Sequence, residues 1–204
     1  DNSPGPLSLT GKLSTPRTDV ARERVFFSGI LSDTRQIACS QDLEYLVVIS
    51  GTEPQRSALE HLISRQVGRL DGHGVVLQGN PQKPAKPVTE GNWTSISYAP
   101  TELKIELMNR AQCVICRPGY TTMMELAELG KKRALLVPTP GQTGQEYLSG
   151  YYEENGWYHS CNQADLDLSE DLKPVSRYRG FPAMPKTEEN IRRLYDELLA
   201  GYLE

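Results

Sequence analysis

The sequence predicts an α/β fold, a Rossmann-like parallel sheet with helices on both faces. Short apolar runs alternate with segments of helical spacing over most of the chain, giving about six strands and six helices. The runs are short, rich in β-branched residues and followed by Gly- or Pro-bearing turns, which is typical of buried strands. Strand, turn and helix in repetition predict parallel strands joined by crossover helices.

The pattern is clearest in the third quarter of the chain. The apolar run Cys113–Cys116 predicts a strand that ends in a turn, and helical spacing follows as far as Gly130. The run Ala134–Val137 predicts a second strand. A second helix is expected from about Gln145 to Asn155, because Asn-Gly ends helices. Two consecutive strand–helix units of this kind are typical of a parallel sheet.

The other elements are less regular. Strands are expected at Val25–Phe27, Tyr45–Ile49, Val75–Leu77 and Trp93–Tyr98, and residues 79–92 are expected to form a surface loop. Further helices are expected to carry Leu59, Leu62, Ile63 and Val67, then Leu103, Leu107 and Met108, and finally Ile191, Leu194, Tyr195, Leu198 and Leu199 on a buried face, with Thr187 as cap. Residues 1–23 are interpreted as a linker or arm, and residues 24–204 as one domain.

Composition narrows the classes of function. A net charge of -4 and a pI near 5.5 argue against a nucleic-acid partner. No apolar run approaches the roughly 20 residues that cross a bilayer, and no signal peptide is visible. The cysteines are expected to be reduced, buried thiols, so zinc or redox chemistry at Cys113 and Cys116 is not favoured and a cytoplasmic protein is predicted.

The turns after the strands form the candidate site, because open parallel sheets bind ligands at the carboxyl ends of their strands. Ser50-Gly51-Thr52 follows a strand and precedes a helix. Its N–H groups and hydroxyls suit a phosphate, since helix N-termini favour anions. The alternative is a capping box between Thr52 and Gln55. The spacing alone leaves both interpretations open.

Two further capping boxes are predicted at the same edge, Thr122 with Glu125 and Thr143 with Glu146. Taken singly, each glutamate is expected to be a cap partner. Taken together, three strand ends then present hydroxyls and acceptors at helix starts. Such an edge suits a ligand with an anionic centre and flanking hydroxyls, for example a nucleotide sugar.

Other catalytic arrangements are not expected. The histidines, His61, His73 and His159, are scattered over unrelated segments and predict neither a metal site nor a triad. The chain has no nucleophile elbow and no GxxxxGK[ST] phosphate loop. No metal ligand set is therefore predicted.

The segment 113–156 resembles the donor-binding C-terminal half of GT-B glycosyltransferases of the family 28 type. Within that family the resemblance is to the N-acetylglucosaminyltransferase that completes the lipid-linked peptidoglycan precursor. The matching motifs stand in this sequence as Cys116-Arg117-Pro118-Gly119, Thr122-Met123-Met124-Glu125, Gly130, Pro138 and Gln145-Glu146. Outside this segment of about 45 residues the match is looser.

The resemblance implies a role for each matching position. Glu125 would hold the ribose hydroxyls of the donor, and Tyr98-Ala99 would contact the base through its backbone. The diphosphate would lie near the loop Ser50-Gly51-Thr52 and near Gly119 and Thr122, and the sugar hydroxyls near Gln145 and Glu146. The remaining implied substrate-binding residues are Arg117, Thr121 and Gln142.

The same resemblance implies the activity. The chain would bind a nucleotide sugar, most simply a UDP-sugar, for transfer of a hexose-type sugar to an acceptor, without metal or cofactor. The acceptor site, any membrane contact and the general base would lie in an N-terminal half, either truncated or a separate subunit, and residues 1–23 would lead from it. The catalytic residue is thus not expected in this chain, which would be inactive alone.

Two alternatives remain open. A nucleotide-sugar epimerase or hydrolase uses the same fold, and a non-catalytic binding or assembly module is the second alternative. The sequence also departs from the family pattern at three positions. Pro118 stands in place of a serine, Glu146 in place of a glutamine, and Glu53 follows the phosphate loop, where a carboxylate is unfavourable unless it turns away.

Overall fold

The computed structural model describes residues 1–15, 25–83 and 86–200. Within these residues a seven-stranded sheet has the order β3-β4-β2-β1-β5-β6-β7, and its neighbours are parallel except for the antiparallel pair β3–β4. The strands are β1 (Leu43–Val48), β2 (Gly74–Leu77), β3 (Val88–Glu90), β4 (Trp93–Ile96), β5 (Ala111–Cys116), β6 (Ala134–Leu136) and β7 (His159–Ser160). This arrangement confirms the predicted α/β, Rossmann-like sheet.

Helices join β1 to β2 and each successive pair of strands from β4 to β7, as the alternating pattern predicts, and further helices follow β7. They are α1 (Gln55–Gln66), α2 (Thr101–Arg110), α3 (Tyr120–Leu129), α4 (Thr143–Glu154), the single turn α5 (Leu168–Asp171) and α6 (Thr187–Leu194), which continues as a π-helical segment, Tyr195–Leu199. Short 3₁₀ turns lie at Gly11–Ser14, Val67–Arg69, Gln163–Asp165 and Pro174–Arg177. The end of α3 is set by Gly130, whose φ of 62° is left-handed and favours glycine.

Both faces of the sheet carry an apolar core, because alternate residues of each strand point to opposite faces. On β1, Leu46 belongs to one cluster, together with Met123 of α3. Its neighbour Val47 belongs to the other, together with Leu59 and Ile63 of α1. Burial on both faces explains why these strands appear in the sequence as continuous apolar runs.

The CxxC pair is separated by the same alternation. Cys113 lies in the cluster under α1 and Cys116 in the cluster under α3, on opposite faces of β5. Burial raises the pKa of the Cys113 thiol to about 12, which keeps it protonated and unreactive. The expectation of buried cysteines is wrong for Cys39, which is exposed, and Cys161 is only half-buried.

Three predictions of local structure are wrong. Residues 25–27 form no strand, and the loop predicted for residues 79–92 contains β3, an exposed edge strand. On the last helix Ile191 and Tyr195 are 42% and 54% exposed, so the predicted buried face is wrong at these two positions. Asn190 is buried instead, and its amide donates to Ile30 O at 2.9 Å. The helix is thus attached by a polar side chain.

The first fifteen residues, here called the N-terminal arm, pack on α4. Leu9 is fully buried in the core cluster that contains Leu46 and Met123. The hydroxyl of Tyr152 donates to Leu9 O at 2.7 Å, and that of Tyr151 donates to Ser8 O at 3.1 Å. The predicted domain boundary between residues 23 and 24 lies outside the described residues and stays a prediction.

Among the described residues, no helix combines the length and the apolarity needed to cross a membrane.

Candidate functional site

The strand order places the candidate site. Going outward from β1, the sheet extends one way through β2 and the other way through β5, so the loops after β1 and β5 border a crevice. The exposed residues Ser50, Gly51 and Thr52 lie in the first of these loops, and Gly119 closes the second. Gln142, also exposed, follows β6 at the same edge. The predicted loops therefore do meet at one edge.

A buried arginine connects these loops. Arg117 is 0% exposed; its Nε donates to Ser50 O at 3.2 Å, and one Nη donates to Val137 O at 3.3 Å. The other Nη donates to Gln55 O and to Gln163 Oε1, both at 2.8 Å. We call this group the Arg117 junction. The geometry gives the Arg117 side chain a positioning role beneath the loops in place of the direct ligand contact that was predicted.

The charge of Arg117 is not neutralised within the junction. Its four described acceptors are neutral oxygens, three of them main-chain carbonyls. Burial lowers the pKa of Arg117, although guanidinium groups stay protonated in proteins. A positive charge is therefore held in the low-dielectric interior directly below the crevice, where it favours an anion.

The predicted capping boxes are all wrong, because the three helices do not begin where the boxes require. The box at Thr52 fails since α1 begins only at Gln55. The box at Thr122 fails since α3 already begins at Tyr120. Thr143 is itself the first residue of α4 and not its cap. The Thr-x-x-Glu and Thr-x-x-Gln spacings are therefore not capping boxes in this protein.

The carboxylate of Glu53 is held by the first turn of α1. Its Oε1 accepts from Arg56 Nε at 2.7 Å, and its Oε2 accepts from Ser57 N at 3.2 Å. These hydrogen bonds lower the pKa of Glu53. The first turn of α1 therefore already holds an anionic group of the protein itself, and the unfavourable carboxylate at the phosphate loop is accounted for.

The start of α3 is different, because no side chain of the described residues caps it. Gly119 is the N-cap residue, and the first helical bond runs from Met123 N to Gly119 O at 3.0 Å. The N–H groups of the first turn of a helix have no acceptor within the helix. At this edge of the sheet, α3 presents those donors beside the Arg117 junction.

A cavity of about 280 Å³ opens beside the carboxyl end of β4, between α2 and α3. We call it the β4 cavity. Four predicted site residues line it: Tyr98, Ala99, Thr121 and Glu125. They come from two segments more than twenty positions apart, and the fold brings them together as the resemblance implies.

Glu125 is the polar centre of the β4 cavity. The residue is 4% exposed, and its Oε1 accepts from Lys104 Nζ at 2.6 Å. Its Oε2 is buried and has no partner among the described residues. A buried acceptor without a partner is costly, which favours a bound donor group at this position.

Lys104 is a site residue that sequence reasoning missed. It lies in the first turn of α2, at the end of the helix next to the carboxyl edge, and lines the β4 cavity. The sequence carried no signal for it, because α2 follows β4 and α3 follows β5, and β2 and β1 separate these two strands in the sheet. Asp33 and Thr34 also line the cavity, and nothing in their polar segment indicated it.

The loop after β6 is held by the two residues predicted to contact a sugar. Gln145 Oε1 accepts from Thr139 N at 2.8 Å, and Glu146 Oε1 accepts from Gly141 N at 2.8 Å. The amide NH₂ of Gln145 and the second oxygen of Glu146 are left unengaged by the described residues. These two groups are a donor and an acceptor at the rim of the crevice.

Comparison with known proteins gives a family and a fold. The model of the glycosyltransferase family 28 C-terminal domain matches residues 45–193. The chain is similar in structure to the glycotransferase of kitacinnamycin, with a TM-score of 0.54, 14% identity and coverage of 88% of this chain and 46% of that one. No curated protein matches the chain significantly.

Two other solved structures are also similar. For the glycosyltransferase SnogD from Streptomyces nogalater the TM-score is 0.52 at 13% identity, covering 81% of this chain and 44% of that one. For MurG of Acinetobacter baumannii the TM-score is 0.46 at 20% identity, covering 68% and 41%. The chain thus spans less than half the length of each of these three proteins. For SnogD and the glycotransferase of kitacinnamycin, the likeness at these identities concerns the fold.

Proposed function

Because the chain belongs to the glycosyltransferase family 28 C-terminal domain family, we propose that it is the donor-binding half of a glycosyltransferase and binds a nucleotide sugar. One observation carries this proposal: the buried, unpartnered Oε2 of Glu125 in a cavity lined by Tyr98 and Ala99. A carboxylate oxygen in such a place suits a ligand hydroxyl, and a backbone segment beside it suits a planar base.

In this proposal the nucleoside occupies the β4 cavity. The base lies against Tyr98-Ala99, and a ribose hydroxyl donates to Glu125 Oε2. Lys104 holds Oε1 and thereby orients the carboxylate. Hydrogen bonds to charged groups contribute roughly 1.5–3 kcal/mol, so this contact is a large share of the affinity of a small ligand.

The diphosphate lies at the start of α3, near Gly119 and Thr122, with the Ser50–Thr52 loop opposite. Uncapped N–H groups, the helix dipole and the positive charge of Arg117 favour an anion there. The start of α1 does not contribute in the same way, since Glu53 already occupies it. The same groups stabilise the charge that develops on the diphosphate as it leaves.

The sugar lies at the loop after β6. The free NH₂ of Gln145 donates to one sugar hydroxyl, and the free oxygen of Glu146 accepts from another. An acceptor hydroxyl then attacks the anomeric carbon, and the sugar–phosphate bond breaks. We place the general base and the acceptor site in a partner half, in the same protein or a separate subunit, because the chain spans under half of its structural relatives.

A thermal-shift and calorimetric screen tests the proposal. The chain is mixed with UDP, GDP, CDP and TDP and with their sugars, and UDP is expected to bind. At a hundredfold excess over the dissociation constant, one-site binding adds about 2.7 kcal/mol to the free energy of unfolding.

No response to any nucleotide would contradict the proposal and favour an assembly module. Release of UDP from a UDP-sugar, or conversion to a new UDP-sugar, without any acceptor would favour a hydrolase or an epimerase instead.

A further inference from the structure

The segment that precedes β1 forms one wall of the β4 cavity. We call residues 32–37 the strap. Near one end, Ser32 N donates to Thr187 Oγ1 at 3.0 Å, at the start of α6. At the other end, Ile37 N donates to Asn109 Oδ1 at 3.0 Å, on α2. With both ends attached to helices, the strap holds its middle residues against the cavity.

Thr34, in the middle of the strap, lines the cavity but is not satisfied by the protein. The residue is 6% exposed, and its Oγ1 is buried without a partner among the described residues. Within residues 1–15, 25–83 and 86–200, eight buried side-chain polar atoms have no hydrogen-bond partner. Two of them, Thr34 Oγ1 and Glu125 Oε2, belong to residues that line the β4 cavity. None belongs to a residue of the larger cavity, of about 570 Å³, beside α4. The β4 cavity therefore has two buried polar atoms that a bound nucleoside could satisfy.

The ribose of a nucleotide presents two neighbouring hydroxyls, and the two oxygens of Glu125 are not equally open to them. Oε1 already accepts from Lys104 Nζ at 2.6 Å, whereas Oε2 has no partner among the described residues. One hydroxyl therefore suits Oε2. The neighbouring hydroxyl can satisfy Thr34 Oγ1, the other buried polar atom of this cavity without a described partner. A threonine hydroxyl both donates and accepts, so it suits this task.

We propose that Thr34 is a specificity-determining residue for a ribonucleoside diphosphate, with Thr34 Oγ1 and Glu125 Oε2 each hydrogen-bonded to one of the two ribose hydroxyls. This inference rests on the proposed function, because it requires a nucleotide in the β4 cavity. It assigns to the strap the ability to distinguish ribose from deoxyribose. The sequence of residues 32–42 gave no indication of this role.

The assignment has a consequence for the free protein. If Thr34 Oγ1 has no partner until ligand binds, replacing it with a methyl group removes an unsatisfied buried polar atom. Such a replacement is neutral or stabilising. A threonine with a structural hydrogen bond behaves in the opposite way, and its valine variant melts earlier.

The experiment compares Thr34→Val with Thr34→Ser, which keeps the hydroxyl. Calorimetry on the full chain measures the dissociation constants of UDP, 2′-deoxy-UDP and 3′-deoxy-UDP, and a thermal melt without ligand measures stability. Thr34→Val is expected to bind UDP about tenfold more weakly, since one lost hydrogen bond with desolvation costs on this scale. It should bind one deoxy analogue as tightly as the parent does, because that analogue lacks the hydroxyl that Thr34 contacts. Thr34→Ser should stay close to the parent.

Each outcome decides the matter. Loss of UDP affinity in Thr34→Val, with an unchanged or higher melting temperature, supports the inference. If Thr34→Val binds UDP like the parent and keeps the parent's discrimination between the analogues, the inference is overturned and the proposed function stands. A lower melting temperature with equal weakening for all three ligands assigns Thr34 a structural role and also overturns it. If the parent binds no nucleotide, both proposals fail together.

Discussion

The Arg117 junction and the β4 cavity are neighbours at one edge of the sheet, and both contain a buried charged side chain. In the junction, Arg117 makes four hydrogen bonds to protein oxygens. In the cavity, Glu125 has one protein partner and one oxygen without any. Burial is thus the same in both places, whereas hydrogen-bond satisfaction differs. A satisfied charge holds the structure, and an unsatisfied one indicates where a ligand binds.

The largest expected effect is a loss of stability when Arg117, the buried charge whose hydrogen bonds are satisfied, is replaced. Arg117→Met removes the guanidinium donor from three main-chain carbonyls, of which that of Val137 is buried, and from the side chain of Gln163. The free energy of unfolding should therefore fall by about 3 kcal/mol or more, measured by chemical denaturation. Arg133→Met, at an exposed arginine, is the control and should change stability by less than about 0.5 kcal/mol. A variant at position 117 with the stability of the parent but without nucleotide binding would make Arg117 a ligand contact after all.

The next effect concerns the unsatisfied side. Glu125→Gln keeps the shape but replaces one acceptor oxygen with a donor, so UDP affinity should fall tenfold or more in calorimetry while the melting temperature without ligand changes little. The variant should also discriminate less against a deoxy analogue of UDP. Glu90→Gln, on the exposed strand β3, is the matched control. Unchanged UDP affinity in Glu125→Gln would remove the main support for the proposed function.

A smaller effect is expected at Gln145, where one half of the amide is satisfied and the other is not. Gln145→Ala should weaken a UDP-sugar more than UDP, by roughly fivefold, because the proposed function gives the lost NH₂ a contact with the sugar. UDP is the internal control, since any general disturbance of the loop affects both ligands. Equal losses for the two ligands would show that Gln145 only holds the loop through Thr139.

The smallest effect is expected at Glu53, an exposed carboxylate satisfied by its own helix. Glu53→Gln removes a negative charge near the phosphate loop, so UDP affinity should rise slightly at low salt and return to the parent value at high salt, where such interactions are screened. A large loss of UDP affinity at both salt concentrations would mean that Glu53 contributes directly to the site.

Most of the sheet was predictable from the sequence, because its central strands are buried on both faces. The apolar runs around Val47 and Ile115 are consistent only with the core of a sheet. The strands that periodicity missed are β3, which is three residues long and exposed, and β7, which has two residues. Neither is long enough to show an alternation. The helix starts were mispredicted because the turns before them, and not the threonine side chains, determine where the first helical residue lies.

The site was predictable where the sequence carries a motif. Glu125 and Tyr98 were singled out, and the fold places both at the β4 cavity. Lys104 and Thr34 were missed. Lys104 matters because it contacts Glu125 across the fold, and Thr34 matters because its hydroxyl has no partner among the described residues. A lysine 21 positions before a glutamate has no signature until α2 and α3 lie side by side. The buried hydroxyl of Thr34 is informative only once its missing partner is known.

The N-terminal arm affects how this half can be exchanged between proteins. Leu9 fills the main core, and its carbonyl is held by Tyr152 of α4, the helix whose first turns carry Gln145 and Glu146. In a chimaera joined at residue 24, where composition suggests a boundary, a foreign arm would pack on α4. The contact that this chain's own arm makes with Tyr152 would then be lost. The arm and α4 therefore have to be exchanged together.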